Sequence, residues 1–578
     1  MIALSWFSLL ALLIITARVG GLWISIPLFL LGLLISHFKN KGLYIFAFLL
    51  PLVNAVPFFL NSGFPFNYFA PSLFLVAGLY LGNTGFKAKG YIPQSYSLYL
   101  TLLWLSAIFL LLRWSNITLS RLAFLKDTPV TPGGPRVSFG IFFPVITLAL
   151  YSAGLFAYYL TKNVDRRKFF QFMSAGTAFA MAIGFLQWAG YRILISPGLW
   201  DKGIRFNATF SDPNAAGAFA GILFGLILLN YSKWKDLLFL LPPLIIVLLS
   251  SSKSGIILVG LSLVIVFFSR RITGNTRIAL ILGFILLVIP FIPHLKARFY
   301  RNYIALIKWK KLDVALTGRI SLTSKAITGI KEYPVSGIGP GNFTFYTSYK
   351  FKKHGWIDIV PSVYLSSMVE TGLIGGFFFI LFLISFAAGR ASPERSVLYI
   401  LLFIFIFNNG LWNPEVMVIF WILLSGIPPR KIKIPLKISV SSLLIYLIAL
   451  VLSFNSLHPA KWCVNDGTYY DYGFHQLEDN FKWTRRAAGI YGIFKNSKVR
   501  FETGFPFDKT KYSKQIVDVY WNGKKIKRLI LNRFKARESL KISGEGFLEF
   551  RIKPWFIPAK LKLSKDPREL GIKIAGIW

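Results

Sequence analysis

The sequence predicts a polytopic α-helical membrane protein of about 12–15 transmembrane helices, with a long outer loop and a C-terminal β-sandwich domain. Three observations predict it. The chain of 578 residues is 55% hydrophobic and 17% aromatic but only 15% charged, well under the charged share of a soluble protein. Apolar runs able to cross a hydrocarbon core about 30 Å thick recur from Ile2 to near Phe454. After that point short runs alternate apolar and polar residues, which is the period of strands. A soluble chain would have to bury every apolar run in one core, more than a single core covers.

In chain order, spans are expected near 2–16, 21–36, 43–60, 69–84, 97–113, 139–160, 170–190, 213–230, 237–250, 254–269, 277–293, 372–389, 396–409, 415–427 and 438–455. The first, IALSWFSLLALLIITA, lacks a basic start and a small-x-small cleavage site, so it reads as a retained helix and not a signal peptide. Residues 1–455 thus form a transmembrane domain, with 294–371 as its long outer loop. Lysine and arginine concentrate in alternate gaps, including Lys39 and Lys41, Arg166 and Arg167, Arg390 and Arg395, and Arg430 to Lys437. This bias places the N-terminus in the cytoplasm and the 294–371 loop and the tail outside. The tail, 456–578, contains Asn522-Gly523 between alternating runs, the signature of a β-hairpin.

The net charge of +42 is distributed over loops and tail. Membrane lipids, anionic lipid-borne substrates and topology account for it better than nucleic acid does. The single cysteine, Cys463, rules out an internal disulfide framework, and five scattered histidines form no zinc motif. Neither a metal nor a cofactor is expected.

Several polar stretches stand out against the apolar background. RFNATFSDPN carries Arg205 just ahead of Asp212-Pro213-Asn214, a sequence that also suits a helix N-cap. SSSKSG places Lys253 among hydroxyls between two spans, where a lysine either snorkels or faces a functional cavity. TGR presents Arg319, whose planar guanidinium suits a phosphate and suits the headgroup layer as well. YPVSGIGPGNF sets Gly337, Gly339 and Gly341 at alternate positions. No strand-turn-helix context makes these a dinucleotide loop; tight turning or close approach to a ligand explains them. FNNGLWNPEV reads as helix capping.

Taken in order, Arg205 with DPN, SSSKSG, TGR, YPVSGIGPGNF and YLSSMVETGLIGG resemble the O-antigen ligase and Wzy-type polymerase superfamily, which includes bacterial protein O-oligosaccharyltransferases. The resemblance implies a metal-independent, inverting glycosyltransferase of the bacterial cytoplasmic membrane, acting in cell-envelope polysaccharide biosynthesis. It would move a glycan from an undecaprenyl-diphosphate donor to a hydroxyl of a glycolipid, glycan or protein acceptor. Arg319 matches the arginine of the family's GR motif and Arg205 an upstream cation; with Lys253 they would bind the diphosphate. Tyr364, Glu370 and Gly372 match the segment that leads into the next span. Where the family commonly has His-Asn, this chain has Pro361 and Ser362, and proline can be neither base nor donor. A catalytic base would then come from His354, Asp358 or Glu370, or be dispensed with. A lipid-linked glycan transporter and an inactive assembly scaffold are the alternatives, though no repeated halves of the transporter kind occur.

The tail has its own resemblance, to a β-sandwich module on some cell-surface glycosyltransferases. It rests on Trp483 and Thr484, Phe556 to Pro558, and Asp566, Arg568, Leu570 and Gly571. It implies a glycan- or acceptor-binding role, with Trp483 expected in the core more than on a sugar face.

Overall fold

The computed structural model describes residues 1–18, 22–53, 70–85, 91–113, 142–189, 205–210, 212–231, 233–268, 282–343, 346–347, 359–453, 470–478, 481–561, 563–564, 566 and 568–577. The first part is helical: α1 (Ile2–Arg18), α2 (Leu22–Ser36), α3 (Asn40–Leu49), α4 (Pro71–Thr84), α5 (Gln94–Arg113), α6 (Phe142–Ala153), α7 (Leu155–Thr161) and α8 (Arg166–Trp188). Next come α9 (Pro213–Asn230), α10 (Leu241–Ser250), α11 (Lys253–Phe268), α12 (Ile292–Ile307), α13 (Leu312–Ala315) and α14 (Arg319–Glu332). The series closes with α15 (Val363–Ala387), α16 (Pro393–Ile404), α17 (Pro414–Ser425) and α18 (Leu436–Ser453). Among the described residues, five helical stretches are long and apolar enough to cross a membrane: Phe143–Thr161, Arg166–Leu186, Pro213–Asn230, Val363–Ala387 and Leu436–Ser453. Six shorter apolar helices accompany them among those residues, in keeping with a membrane protein, while the expected number of spans does not follow from helix length.

The span placed at 372–389 begins at a break in α15: Gly372, φ 68° and ψ 179°, is non-helical and separates a first helical segment, from Val363, from the apolar segment that follows. Ser362 caps the first turn of α15 by accepting from Leu365 N at 3.4 Å. Ser366, Ser367, Glu370 and Thr371 precede the kink and are buried, so they hide a helix turn inside a stretch too polar to read as a span. The 294–371 segment is likewise largely helical among its described residues.

Successive helices reverse direction, which separates two groups of bases. At one end, Arg166 donates to Ile422 O at 2.8 Å and to Ser425 Oγ at 2.7 Å. There too Arg395 Nε donates to Phe386 O at 3.0 Å, and Arg167 pairs with Asp236 at 2.7 Å. Arg166 and Arg395 cap helix C-termini, where the exposed carbonyls favour positive charge. Arg205, Lys253 and Arg319 lie at the opposite end of the same helices.

The tail forms six strands: β1 (Tyr470–Glu478), β2 (Phe481–Glu502), β3 (Lys514–Trp521), β4 (Lys524–Asn532), β5 (Arg537–Lys553) and β6 (Lys573–Ile577). They make one antiparallel sheet in the order β1-β2-β5-β3-β4, with β6 on β2. The expected β domain is therefore a single bent sheet. A register shift between Phe494 and Ser497, with Asn496 at φ 54°, bends the long β2 as bulges do. Asn522 and Gly523, φ 49° and 82°, make the expected β3–β4 turn. Alternate residues Val517, Val519, Leu548, Phe550 and Ile552 fill the core. The residues that carry the tail's resemblance fasten this sheet: Thr484 Oγ1 accepts from Ile572 N at 2.9 Å, and Thr484 O from Gly571 N at 2.7 Å. Trp483 is in the core, packed with Phe505, Phe556 and Leu570, so it offers no open ring to a sugar.

Candidate functional site

The first component is the break between α10 and α11. Ser251 adopts φ 50° and ends α10, and Lys253 begins α11. The two turns can lie close because Gly217 of α9 faces Ser252, where an added Cβ would collide with Ser250 Oγ and Ser252 Oγ at 2.8 Å. Arg205 is buried against this break: its Nε donates to Ser250 O at 3.0 Å and its Nη2 to Asn214 Oδ1 at 2.8 Å. Asp212 is the N-cap of α9, accepting from Asn214 N at 2.5 Å and Ala215 N at 3.2 Å. Lys253 Nζ reaches outward to Ala315 O at 3.4 Å, so the break is tied to the segment that carries Arg319.

The second component is the TGR turn. Thr317 and Gly318 both take left-handed backbone, φ 58° and 79°, and reverse the chain into α14. Asp313 Oδ1 caps the new helix by accepting from Ile320 N at 2.9 Å and Ser321 N at 3.2 Å. Arg319 is thereby presented at the helix start, where the dipole gives a cation no support. Its guanidinium donates to Phe407 O, in the turn that follows α16. It is half-buried, and desolvation lowers its pKa from the ordinary value. Among the described residues it has no carboxylate partner.

The 405–407 turn also receives Val363 N at 3.0 Å and Ser362 Oγ at 2.9 Å, both on Phe405 O. Tyr364 OH donates to Leu402 O at 2.8 Å. The positions where the family carries histidine and asparagine are thus a helix start and its cap, fixed to the same turn as Arg319. A buried amide lies beside them. Asn409 is 8% exposed, and neither Nδ2 nor Oδ1 has a hydrogen-bond partner among the described residues. Sequence reasoning assigned this residue to capping; only the missing partners of its side chain mark it out.

The third component is the glycine turn, with Gly337, Gly339 and Gly341 at φ 65°, 92° and 64°. It is joined to the kink of α15. Ile338 N donates to Val369 O at 2.8 Å, Gly339 N to Glu370 O at 3.0 Å, and Leu373 N to Pro334 O at 2.7 Å. The kink leaves those carbonyls without their helical partners, and the turn supplies replacements. A Cβ on Gly337 would sit 2.5 Å from Glu370 C and O. The Glu370 carboxylate is buried and accepts from Gly341 N at 3.2 Å and from Ser366 Oγ at 3.5 Å. Tyr446 OH adds a bond to Ser336 O at 3.0 Å. These glycines therefore approach protein backbone.

Of the residues expected at the site, Arg205, Lys253 and Arg319 are brought into one connected region, joined through Ser250, Ala315 and the turns around them. Tyr364 and Pro361–Ser362 border it through the 405–407 turn. Glu370 and the three glycines are joined to one another, through Gly341 N to the Glu370 carboxylate and Gly339 N to Glu370 O. His354 and Asp358 lie outside the described residues. Among the described residues no group of three or more His, Cys, Asp or Glu side chains could hold a metal ion.

No match is found among curated proteins. The model of the O-antigen ligase family matches residues 237–380. That stretch runs from the start of α10 to the middle of α15 and contains Lys253, Arg319, the glycine turn and the kink. Over these residues the chain is similar to the O-antigen ligase family.

Proposed function

We propose that the protein is an integral membrane glycosyltransferase of ligase or polymerase type. It transfers a glycan from an undecaprenyl-diphosphate donor to an acceptor hydroxyl at the outer face of the bacterial cytoplasmic membrane. The observation that carries the reading is Arg319: a half-buried guanidinium with no carboxylate partner among the described residues, inside the family-matched stretch. A desolvated cation without a counter-ion is costly, and hydrogen bonds to charged groups contribute about 1.5–3 kcal/mol each. A diphosphate supplies the missing charge. Arg205 and Lys253 add positive potential from the adjoining break.

In the reaction the acceptor oxygen attacks the anomeric carbon from the face opposite the diphosphate, forming the new glycosidic bond with inversion. The bond from that carbon to the diphosphate oxygen breaks, and both its electrons leave with the lipid diphosphate. Arg319 stabilises the charge that develops there. The acceptor proton passes to water or to a base, for which His354 is the candidate, since Pro361 cannot serve. Glu370 is assigned to holding Gly341 in place.

The test is reconstitution of the full-length protein in proteoliposomes with a radiolabelled lipid-diphosphate glycan and an acceptor. Arg319→Ala should reduce transfer at least about 100-fold without loss of folded protein. Arg319→Lys should recover little, because lysine cannot make the paired contacts of a guanidinium. A fully active Arg319→Ala protein refutes the diphosphate role. Lipid moving between leaflets without glycan transfer would identify a transporter instead.

A further inference from the structure

Helix α12 is amphipathic and inside out. At 100° per residue Ile292, Phe299, Tyr303, Leu306 and Ile307 share one face. Four of these, Ile292, Tyr303, Leu306 and Ile307, are 47–57% exposed. The opposite face bears Ala305, fully buried, and His294, whose Nε2 donates to Leu249 O at 2.8 Å. The side with His294 and Ala305 therefore touches the protein next to the Ser250 break, and the side with Ile292, Tyr303, Leu306 and Ile307, where Lys296 is also exposed, turns away. Exposure continues along the chain through Trp309, Leu312 and Val314, while Ala315 on the inner side receives Lys253. Facing water, so long an apolar surface would be a strong liability.

Its surroundings identify the covering medium. Helical residues 282–288, with Leu282, Ile285 and Leu286 exposed, lead into α12 through the turn Ile289–Phe291. The apolar surface is thus continuous with that of the apolar helix Leu282–Lys296. Tyr300, Tyr303 and Trp309 are residue types of the membrane–water boundary. Exposed Lys308, Lys310 and Lys311 follow at once, matching anionic phospholipid headgroups.

We propose that 292–316 is an interfacial membrane element. Its apolar face is embedded among the acyl chains of one leaflet, its aromatic side chains lie at headgroup depth, and its lysines meet lipid phosphates. It forms a wall between lipid and the Arg205–Lys253–Arg319 region. This goes beyond the transfer reaction and stands on lipid contact alone.

Spin labelling tests it in the full-length protein reconstituted in bilayers containing anionic phospholipid. Cys463→Ser removes the single native cysteine, and Tyr303→Cys, Leu306→Cys and Ile307→Cys each carry a nitroxide. Leu444→Cys, on the half-exposed face of α18, is the lipid reference, and Lys524→Cys on β4 is the water reference. The three labels should collide several-fold more with oxygen than with a water-soluble nickel chelate, as at Leu444. Chelate collisions dominating, as at Lys524, would overturn the proposal. Exclusion of both reagents would overturn it too, since protein would then cover the face. Loss of any one variant to misfolding leaves two positions to decide the outcome.

Discussion

Alanine at Gly337 should damage the protein far more than its one added methyl group suggests. The backbone there is left-handed, φ 65°, which costs a residue with a Cβ about 1–2 kcal/mol. The added carbon would lie 2.5 Å from Glu370 C and O and from Gly372 N, where ordinary contact begins at 3.4 Å. These are backbone atoms of a kinked helix and cannot rotate away. Relief requires the turn and the helix to separate by close to an ångström. That strains the bonds from Ile338 N, Gly339 N and Leu373 N, now 2.8, 3.0 and 2.7 Å, each contributing about 1 kcal/mol. The total is about 3–5 kcal/mol. Gly318→Ala is the control: its φ is 79°, but nothing lies within 4 Å of the added carbon, so only the backbone cost of about 1–2 kcal/mol applies. Fluorescence-detected thermal unfolding in detergent should show Gly337→Ala melting well below Gly318→Ala. Equal or milder destabilisation at Gly337 would refute the view that turn and kink form one rigid joint.

Other expectations concern the neighbouring residues. Glu370→Gln keeps an oxygen for Gly341 N and should retain transfer, whereas Glu370→Ala should cost about 1–3 kcal/mol; a glutamine variant with native melting and no transfer would make Glu370 a proton carrier. Asn409→Leu replaces an unpartnered buried amide and should leave the melting temperature unchanged or raised, while lowering transfer about tenfold if that amide meets substrate. Undiminished transfer would remove it from the site. In the sheet, hydrogen bonding to Arg528 and the charge of Lys525 hold the Asp518 pKa down to about 2. Because the folded value lies below the unfolded one of about 3.9, this contribution is complete above about pH 4 and fades as pH falls towards 2. Asp518→Asn should flatten the acid limb of stability over that window, by a small amount since the group is exposed; an unchanged limb would show that the ion pairs contribute nothing.

Much of the architecture was legible because it depends on solvent preference along the chain. Apolar runs and the period-two tail each report a local choice between apolar surroundings, water and sheet. The Asn522-Gly523 hairpin was legible for the same reason, since the two residues alone supply the required backbone. The number of spans is not fixed by helix length where helices are short or broken. The helical segment from Val363 to Gly372 was not legible, because hydropathy cannot distinguish a polar residue in water from one buried against protein.

The candidate site divides along the same line. Residue type by itself singled out Arg319, Lys253 and Arg205, because cations in a membrane protein are few and expensive. It could not say which of them has a counter-charge. Asp212 beside Arg205, and the lack of a carboxylate partner for Arg319 among the described residues, are facts of three-dimensional neighbourhood. The glycine turn reads locally as something able to hold a ligand, yet its backbone spends its donors on Val369 and Glu370 of a helix reached only through the fold. The amphipathic character of α12 was not read from the sequence; which of its faces meets protein was decided by packing, because the same periodicity serves a helix buried on either side. Sequence alone therefore determined the membrane class, the β-rich tail and the list of candidate cations. Only tertiary structure decided which cation lacks a carboxylate partner among the described residues, which backbone the glycine turn bonds and which surface is exposed, because each depends on contacts between residues far apart in the chain.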